Sequence, residues 1–153
     1  MLTAASTGLL TVSSTVTAGT APRNAVASAD GRFVYVNNQT GGTISQYSVS
    51  PAGVVTAIAT ITTPAPQGIT LSGDGRYLVA VNTTSARTFA IGIDGQLTVA
   101  GTLTLPTTGG VRYVTSSIGG PYVFVVDDTL NAITTLSIAS NGTPSVASTL
   151  TPV

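Results

Sequence analysis

The chain has 153 residues, 42% hydrophobic and only 7% charged, with five Arg balancing five Asp and no Lys, Glu, His or Cys. That length supports one ordinary domain with a real core, and this much apolar content excludes a disordered chain. Zero net charge with no Lys/Arg cluster excludes the electrostatic footprint of a nucleic-acid or acidic-membrane partner, and no apolar run reaches the ~18 residues of a membrane span.

The chain opens Met1-Leu2-Thr3-Ala4-Ala5-Ser6, without the basic stretch that begins a signal peptide. Leu2 to Ser6 reads as a short strand reaching a turn at Thr7-Gly8. Leu9 to Ala18, LLTVSSTVTA, is β-branched with Leu10, Val12 and Val16 at even spacings, which is a strand pattern. Gly19 to Pro22 then breaks the chain.

A first full unit follows. Asn24 to Ala29 is a short strand, and Asp30-Gly31 is a tight turn. Arg32 to Asn38 is nearly continuously apolar, as a strand covered on both faces would be. Gly41-Gly42 turns into the strand Thr43 to Ser50, Pro51-Ala52-Gly53 turns again, and Val54 to Thr63 closes the unit.

The second unit repeats the layout: Gln67 to Ser72, Asp74-Gly75, Arg76 to Asn82, Ala86 to Ile93, Asp94-Gly95, Leu97 to Leu105. The third runs Val111 to Ser117, Gly119-Gly120, Tyr122 to Asp127, Ala132 to Ser140, Asn141-Gly142, Ser145 to Leu150. There Gly110 replaces the leading Pro, and the first turn reads as one residue longer.

Glycines Gly8, Gly53, Gly95 and Gly142 are spaced 45, 42 and 47 apart, each before a last strand. Two residues on stand Leu10, Val55, Leu97 and Pro144; four on, Val12, Ala57, Val99 and Val146; eight on, Val16, Ile61, Leu103 and Leu150. Upstream lie Ala4, Val49, Ile91 and Ile138, then Leu2, Tyr47, Phe89 and Leu136. Even spacing places each column on one face of a strand. Four antiparallel strands in repeats of about 40 to 45 residues predict an all-β partial β-propeller. Three four-stranded blades (22–63, 66–105 and 110–153) follow an N-terminal two-strand hairpin (1–18) that matches the outer half of a fourth. A β-sandwich is the competing fold.

The pattern P-x-x-x-x-x-S-x-D-G-R-[FY] resembles the lactonase-type propeller family of 6-phosphogluconolactonase-like and YVTN-repeat proteins. It is carried by Pro22, Ser28, Asp30, Gly31, Arg32, Phe33 and Asn37, and by Pro66, Ser72, Asp74, Gly75, Arg76, Tyr77 and Asn82. The resemblance implies a ring of seven blades and a ligand face where the inner strands begin. The corresponding positions here include Arg23, Asn24, Gln67 and Arg112. Two Arg without local acids would hold a small carboxylate or phosphate through bidentate contacts; the plainer alternative is that they solvate strand ends. Lactone opening needs a base or an electrophile-activating group, and with no His, Glu or Lys no catalytic residue is assigned. For the same reason no Ser has a partner to activate it.

The Asp-Gly-Arg turns repeat together, which reads as blade geometry with Arg packing across to a neighbour. Asp127-Asp128 with Asn131 matches no calcium loop and reads as a polar turn, so no metal or cofactor is expected. Sequons stand at Asn38, Asn82 and Asn141.

A chain with three blades and a spare hairpin is expected to be a natural, excised or engineered piece of a larger propeller, or a protomer that completes its ring with other copies. Each open end face exposes roughly 600 to 800 Å², on the order of 15 to 20 kcal/mol of gross upper-bound driving force at ~25 cal/mol per Å². The expected function is a non-catalytic, self-associating scaffold of lactonase-like ancestry, with a lactone-hydrolase fragment as the alternative. The Thr-rich, low-charge surface fits an extracellular or cell-surface setting.

Overall fold

The computed structural model describes residues 2–4, 10–12, 14–107 and 109–151. Among them all regular structure is strand. β1 (Leu2–Ala4) and β2 (Leu10–Val12) form a two-stranded antiparallel sheet. Three four-stranded sheets follow, each in sequence order from inner to outer strand. The first blade is β3 (Pro22–Ala27), β4 (Phe33–Asn38), β5 (Thr43–Val49) and β6 (Val55–Thr62). The second is β7 (Gly68–Leu71), β8 (Tyr77–Val81), β9 (Ser85–Ile91) and β10 (Leu97–Thr104). The third is β11 (Val111–Ser116), β12 (Tyr122–Asp127), β13 (Ala132–Ile138) and β14 (Pro144–Leu150). No described helix is long and apolar enough to cross a membrane.

The expected strand Leu9–Ala18 is shorter than its pattern suggested. Among the described residues pairing covers Leu10–Val12, and residues 14–18 run without regular structure along the first blade, where the Tyr47 hydroxyl donates to the Thr17 carbonyl (2.9 Å). The expected Thr7-Gly8 turn lies outside the described residues.

Each blade carries a register shift in its outermost pair at the same place. Tyr47 faces Ala57 but Gln46 faces Ala59; Phe89 faces Val99 but Thr88 faces Gly101; Leu136 faces Val146 but Thr135 faces Ser148. One extra residue reverses which face the following side chains occupy. The column eight residues beyond the turn glycine therefore points the opposite way from the column two beyond it. Leu97 packs between the first and second blades, whereas Leu103 packs between the second and third.

Two apolar layers join the blades. Phe33, Tyr35 and Ile44 of the first blade pack on Ile69, Leu78, Phe89 and Leu97 of the second. Tyr77, Val79, Val81 and Ala86 of the second pack on Val111, Val123, Val125 and Leu136 of the third. Each large side chain fully buried in this way contributes about 1.5–3 kcal/mol. Gly95 and Gly142 open the space: both have positive φ (79° and 86°), and a Cβ there would collide with the rings of Phe33 and Tyr77 respectively.

The Asp-Gly-Arg turns build the same cluster twice. Ser28 Oγ donates to Asp30 Oδ1 (2.6 Å), Arg32 Nε pairs with Asp30 Oδ2 (2.7 Å), and the Arg32 guanidinium lies over the Phe33 ring. Ser72, Asp74, Arg76 and Tyr77 repeat it. Arg32 also reaches across to the Ile93 carbonyl of the next blade (3.2 Å), the cross-blade packing expected of it.

In the third blade the spacing from Ser117 to Tyr122 equals that from Ser72 to Tyr77, so the turn is not longer. The extra residue is Arg112, bulged out of β11 between Val111 and Tyr113. The structural counterpart of Asn82 is likewise Asn38 rather than Asn37, six residues after the turn arginine in both blades.

Candidate ligand site at the channel mouth

The inner strands β3, β7 and β11 lie side by side and bring their starts together. Pro22, Arg23, Asn24, Gln67, Arg112 and Tyr113 line one open cavity of about 380 Å³. All four residues expected from the sequence are therefore in one place. Pro22, named above for the repeat motif alone, and Tyr113, not singled out, join them, and Tyr113 stands 71% exposed at the rim.

Local backbone irregularity aims the two cations. In β3, Pro22 pairs with Asn38 and Ala25 with Val36, so Arg23 and Asn24 share the single residue Asn37 as their opposite. Arg112 occupies the equivalent irregularity in β11. Bulges of this kind turn a side chain out of the ladder toward a site. The inner strand of the second blade pairs without a shift from Gly68 onward, and it presents the neutral Gln67.

Hydrogen bonds fix the floor. The Asn24 N–H donates to Asn37 Oδ1 (2.8 Å), and Asn37 Nδ2 donates to the Pro66 carbonyl (2.8 Å). Asn37 is fully buried and so couples the first blade to the start of the second. Gln39 Nε2 donates to Gln67 Oε1 (3.0 Å), which holds the largely buried Gln67 side chain in the cavity wall.

The expectation of two arginines without local acids needs correcting. Arg112 Nε pairs with Asp128 Oδ2 at 2.7 Å, both side chains about half exposed (51% and 50%). The Asp128 hydrogen bond, then its charge, raises the Arg112 pKa above its ordinary value, so the guanidinium stays charged but partly neutralised. No ion pair among the described residues involves Arg23. Net positive charge at the mouth rests mainly on Arg23.

Asp127 and Asp128 do different work. Asp127 Oδ1 accepts the N–H groups of Thr129 and Leu130 (2.9 and 3.0 Å), which is the polar turn expected here. Its Oδ2 is buried without a hydrogen-bond partner among the described residues. A Cβ at Gly110 would strike Asp127 Oδ1 and Thr129 Oγ1, so only glycine fits beside this turn. Among the described residues no group of three or more acidic residues is placed to hold a metal ion.

The family model described as "Lactonase, 7-bladed beta-propeller" matches residues 3–98. The chain belongs to this lactonase family. Solved structures extend the likeness across the lactonase-family fold. The Pseudomonas aeruginosa periplasmic gluconolactonase is 26% identical with a TM-score of 0.71, over 84% of this chain and 38% of its own. A Bacteroides fragilis protein assigned provisionally to the 6-phosphogluconolactonases is 22% identical with a TM-score of 0.78, over 97% of this chain and 43% of its own. A Lactobacillus plantarum protein is 18% identical with a TM-score of 0.82, over 98% of this chain and 50% of its own. The chain thus spans half or less of each of these relatives. No curated protein matches it.

Proposed function

We propose that this lactonase-family arc is a non-catalytic propeller scaffold that associates with further copies of itself through its end blades. The observation that carries the reading is the outward face of the third blade. Tyr122, Ile133 and Leu150 are 45%, 44% and 71% exposed there, whereas Tyr77 and Ala86, the second-blade counterparts of the first two, are 8% and 0% exposed. An apolar face built like two internal interfaces, yet uncovered, is a surface made for burial. Within these 153 residues no His, Glu or Lys is present to act as base or proton donor near neutral pH. A lactone-hydrolase reading draws on the family alone. Turnover of 6-phosphogluconolactone above the uncatalysed rate would replace the scaffold reading with it.

The cavity at the channel mouth supports a second role, the holding of a small anion. Arg23 supplies an unpaired guanidinium, and Asn24, Gln67 and Tyr113 supply hydrogen-bonding groups around it. The ligand class is a phosphate or carboxylate small enough for about 380 Å³. Isothermal titration with inorganic phosphate, at low salt, tests it directly.

A further inference from the structure

The turn that carries Asn141 is exposed on one side and seats the second blade on the other. Asn141 is one of six asparagines in the chain and the only one followed by glycine. The Gly142 N–H donates to the Ala139 carbonyl (2.8 Å), and the Thr143 N–H donates to Asn141 Oδ1 (3.0 Å). The second blade builds the same turn with an acid in place of the amide. There the Gly95 N–H donates to the Gly92 carbonyl (2.9 Å), and the Gln96 N–H to Asp94 Oδ1 (3.0 Å). Asp94 is exposed although a third blade packs on its own, so the exposure of Asn141 comes from the turn and not from an open end of the arc.

Asn141 also differs from the other asparagines in what holds its amide. The Nδ2 groups of Asn37, Asn38 and Asn82 all donate hydrogen bonds, to the Pro66 carbonyl, to Thr43 and Ser45, and to the Pro64 carbonyl. The Nδ2 group of Asn141 has no such partner among the described residues. Asn24 and Asn131 are exposed, but each precedes an alanine whose Cβ crowds the next backbone nitrogen. Gly142 leaves that nitrogen unscreened. On the inner side of the turn, the Gly142 carbonyl accepts the buried Thr88 hydroxyl at 2.6 Å, and the Gly142 Cα faces the Tyr77 ring.

We infer that Asn141 is a site of spontaneous deamidation, and that of its two products only aspartate leaves the blade interface intact. The turn first opens and releases the Gly142 N–H from Ala139. The deprotonated Gly142 nitrogen then attacks Asn141 Cγ, the Cγ–Nδ2 bond breaks, and ammonia leaves with the proton. Water opens the resulting succinimide at either carbonyl. Attack at Cγ restores the original backbone with aspartate at 141, the residue type that the second blade already carries in this turn. Attack at the backbone carbonyl gives isoaspartate, whose main chain runs through Cβ and Cγ and is one carbon longer. That extra carbon moves Gly142 against the Tyr77 ring and away from Thr88. A packed interface resists such a shift much as it resists an added methylene.

The test ages the full chain at mildly alkaline pH beside a free peptide of residues 136–147, LSIASNGTPSVA, as a clock. Fragmentation mass spectrometry is expected to find a gain of about 1 Da at Asn141 before any other asparagine. Each event adds one negative charge to a chain of zero net charge, so anion exchange isolates the product. Asn141→Asp, made directly, has the same charge without the extra carbon and should unfold thermally with the unmodified chain. The aged fraction, its isoaspartate content measured by fragmentation, should contain a component melting at least about 4 °C lower. A chain still unmodified when the peptide has fully converted overturns the inference, as does earlier conversion at another asparagine. So does an isoaspartate-rich fraction that melts with Asn141→Asp, or an Asn141→Asp chain destabilised as much as that fraction.

Discussion

The Tyr77 hydroxyl crosses from the second blade to the third and donates to the Ser140 carbonyl at 2.8 Å. Its ring occupies the space that Gly142 leaves open. The same interlock recurs one blade earlier, with the Phe33 ring against Gly95 and the Tyr35 hydroxyl donating to the Gly95 carbonyl (3.0 Å). Blade order is thus held by an aromatic side chain seated against a glycine turn.

Gly142→Ala combines a disfavoured positive φ (86°) with a clash against the Tyr77 ring. It is expected to cost about 2–6 kcal/mol in urea unfolding, since strain and overpacking each contribute about 1–3. Combined with Tyr77→Leu, the two losses should fall short of additive, because the smaller side chain removes the clash.

Asp30 has its pKa lowered to about 2, first by the Ser28 hydroxyl and then by the Arg32 backbone and side chain. At Asp74 burial pushes upward, but hydrogen bonds from Ser72 and Arg76 outweigh it and the pKa is also lowered. A depressed folded-state pKa gives stability that is present above the unfolded value of 3.8 and is lost as pH falls through the folded one. The urea midpoint should therefore drop between pH 4 and pH 2. Asp30→Asn and Asp74→Asn together should flatten that drop.

At the channel mouth, Arg23→Ala is expected to weaken phosphate binding about 5- to 20-fold at low salt, the loss of one charge-assisted contact. Asp128→Asn should strengthen it several-fold, by freeing the Arg112 guanidinium from its partner. Titration calorimetry on the two variants gives opposite signs if the site is the one described.

The three sequons are not equivalent. Asn38 is fully buried, and its amide NH₂ donates to Thr43 Oγ1 and Ser45 Oγ. Asn141 is exposed at a turn. Expressed through a secretory pathway that attaches N-glycans, the folded chain should carry no sugar at Asn38 and should accept one at Asn141. Intact-mass and peptide mapping read this directly. Asn38→Ala should cost about 1–3 kcal/mol by stranding buried partners.

The glycine-anchored columns made the blades legible, because turn geometry and strand period both act locally. Facing was legible only as far as Ala57, Val99 and Val146, since an extra residue in each outer strand reverses the side chains beyond. Those residues are as small or β-branched as their neighbours, and nothing marks them in one dimension. The four channel-mouth residues were legible from their place after Pro22, Pro66 and Gly110. The Arg112–Asp128 pair was not, because it depends on how β11 registers against β12. One signal did exist: the third unit is a residue longer before Ser117 than the second, and that residue is the bulged arginine, in the same kind of irregularity that β3 carries at Arg23 and Asn24.

Whether the uncovered end blades pair with one another is decided by the absolute mass of the unmodified chain. Sedimentation equilibrium at micromolar concentrations should give at least twice the 15.2 kDa of one copy, and Leu150→Asp should shift the distribution toward one copy. A single species at 15.2 kDa across that range would contradict the scaffold account.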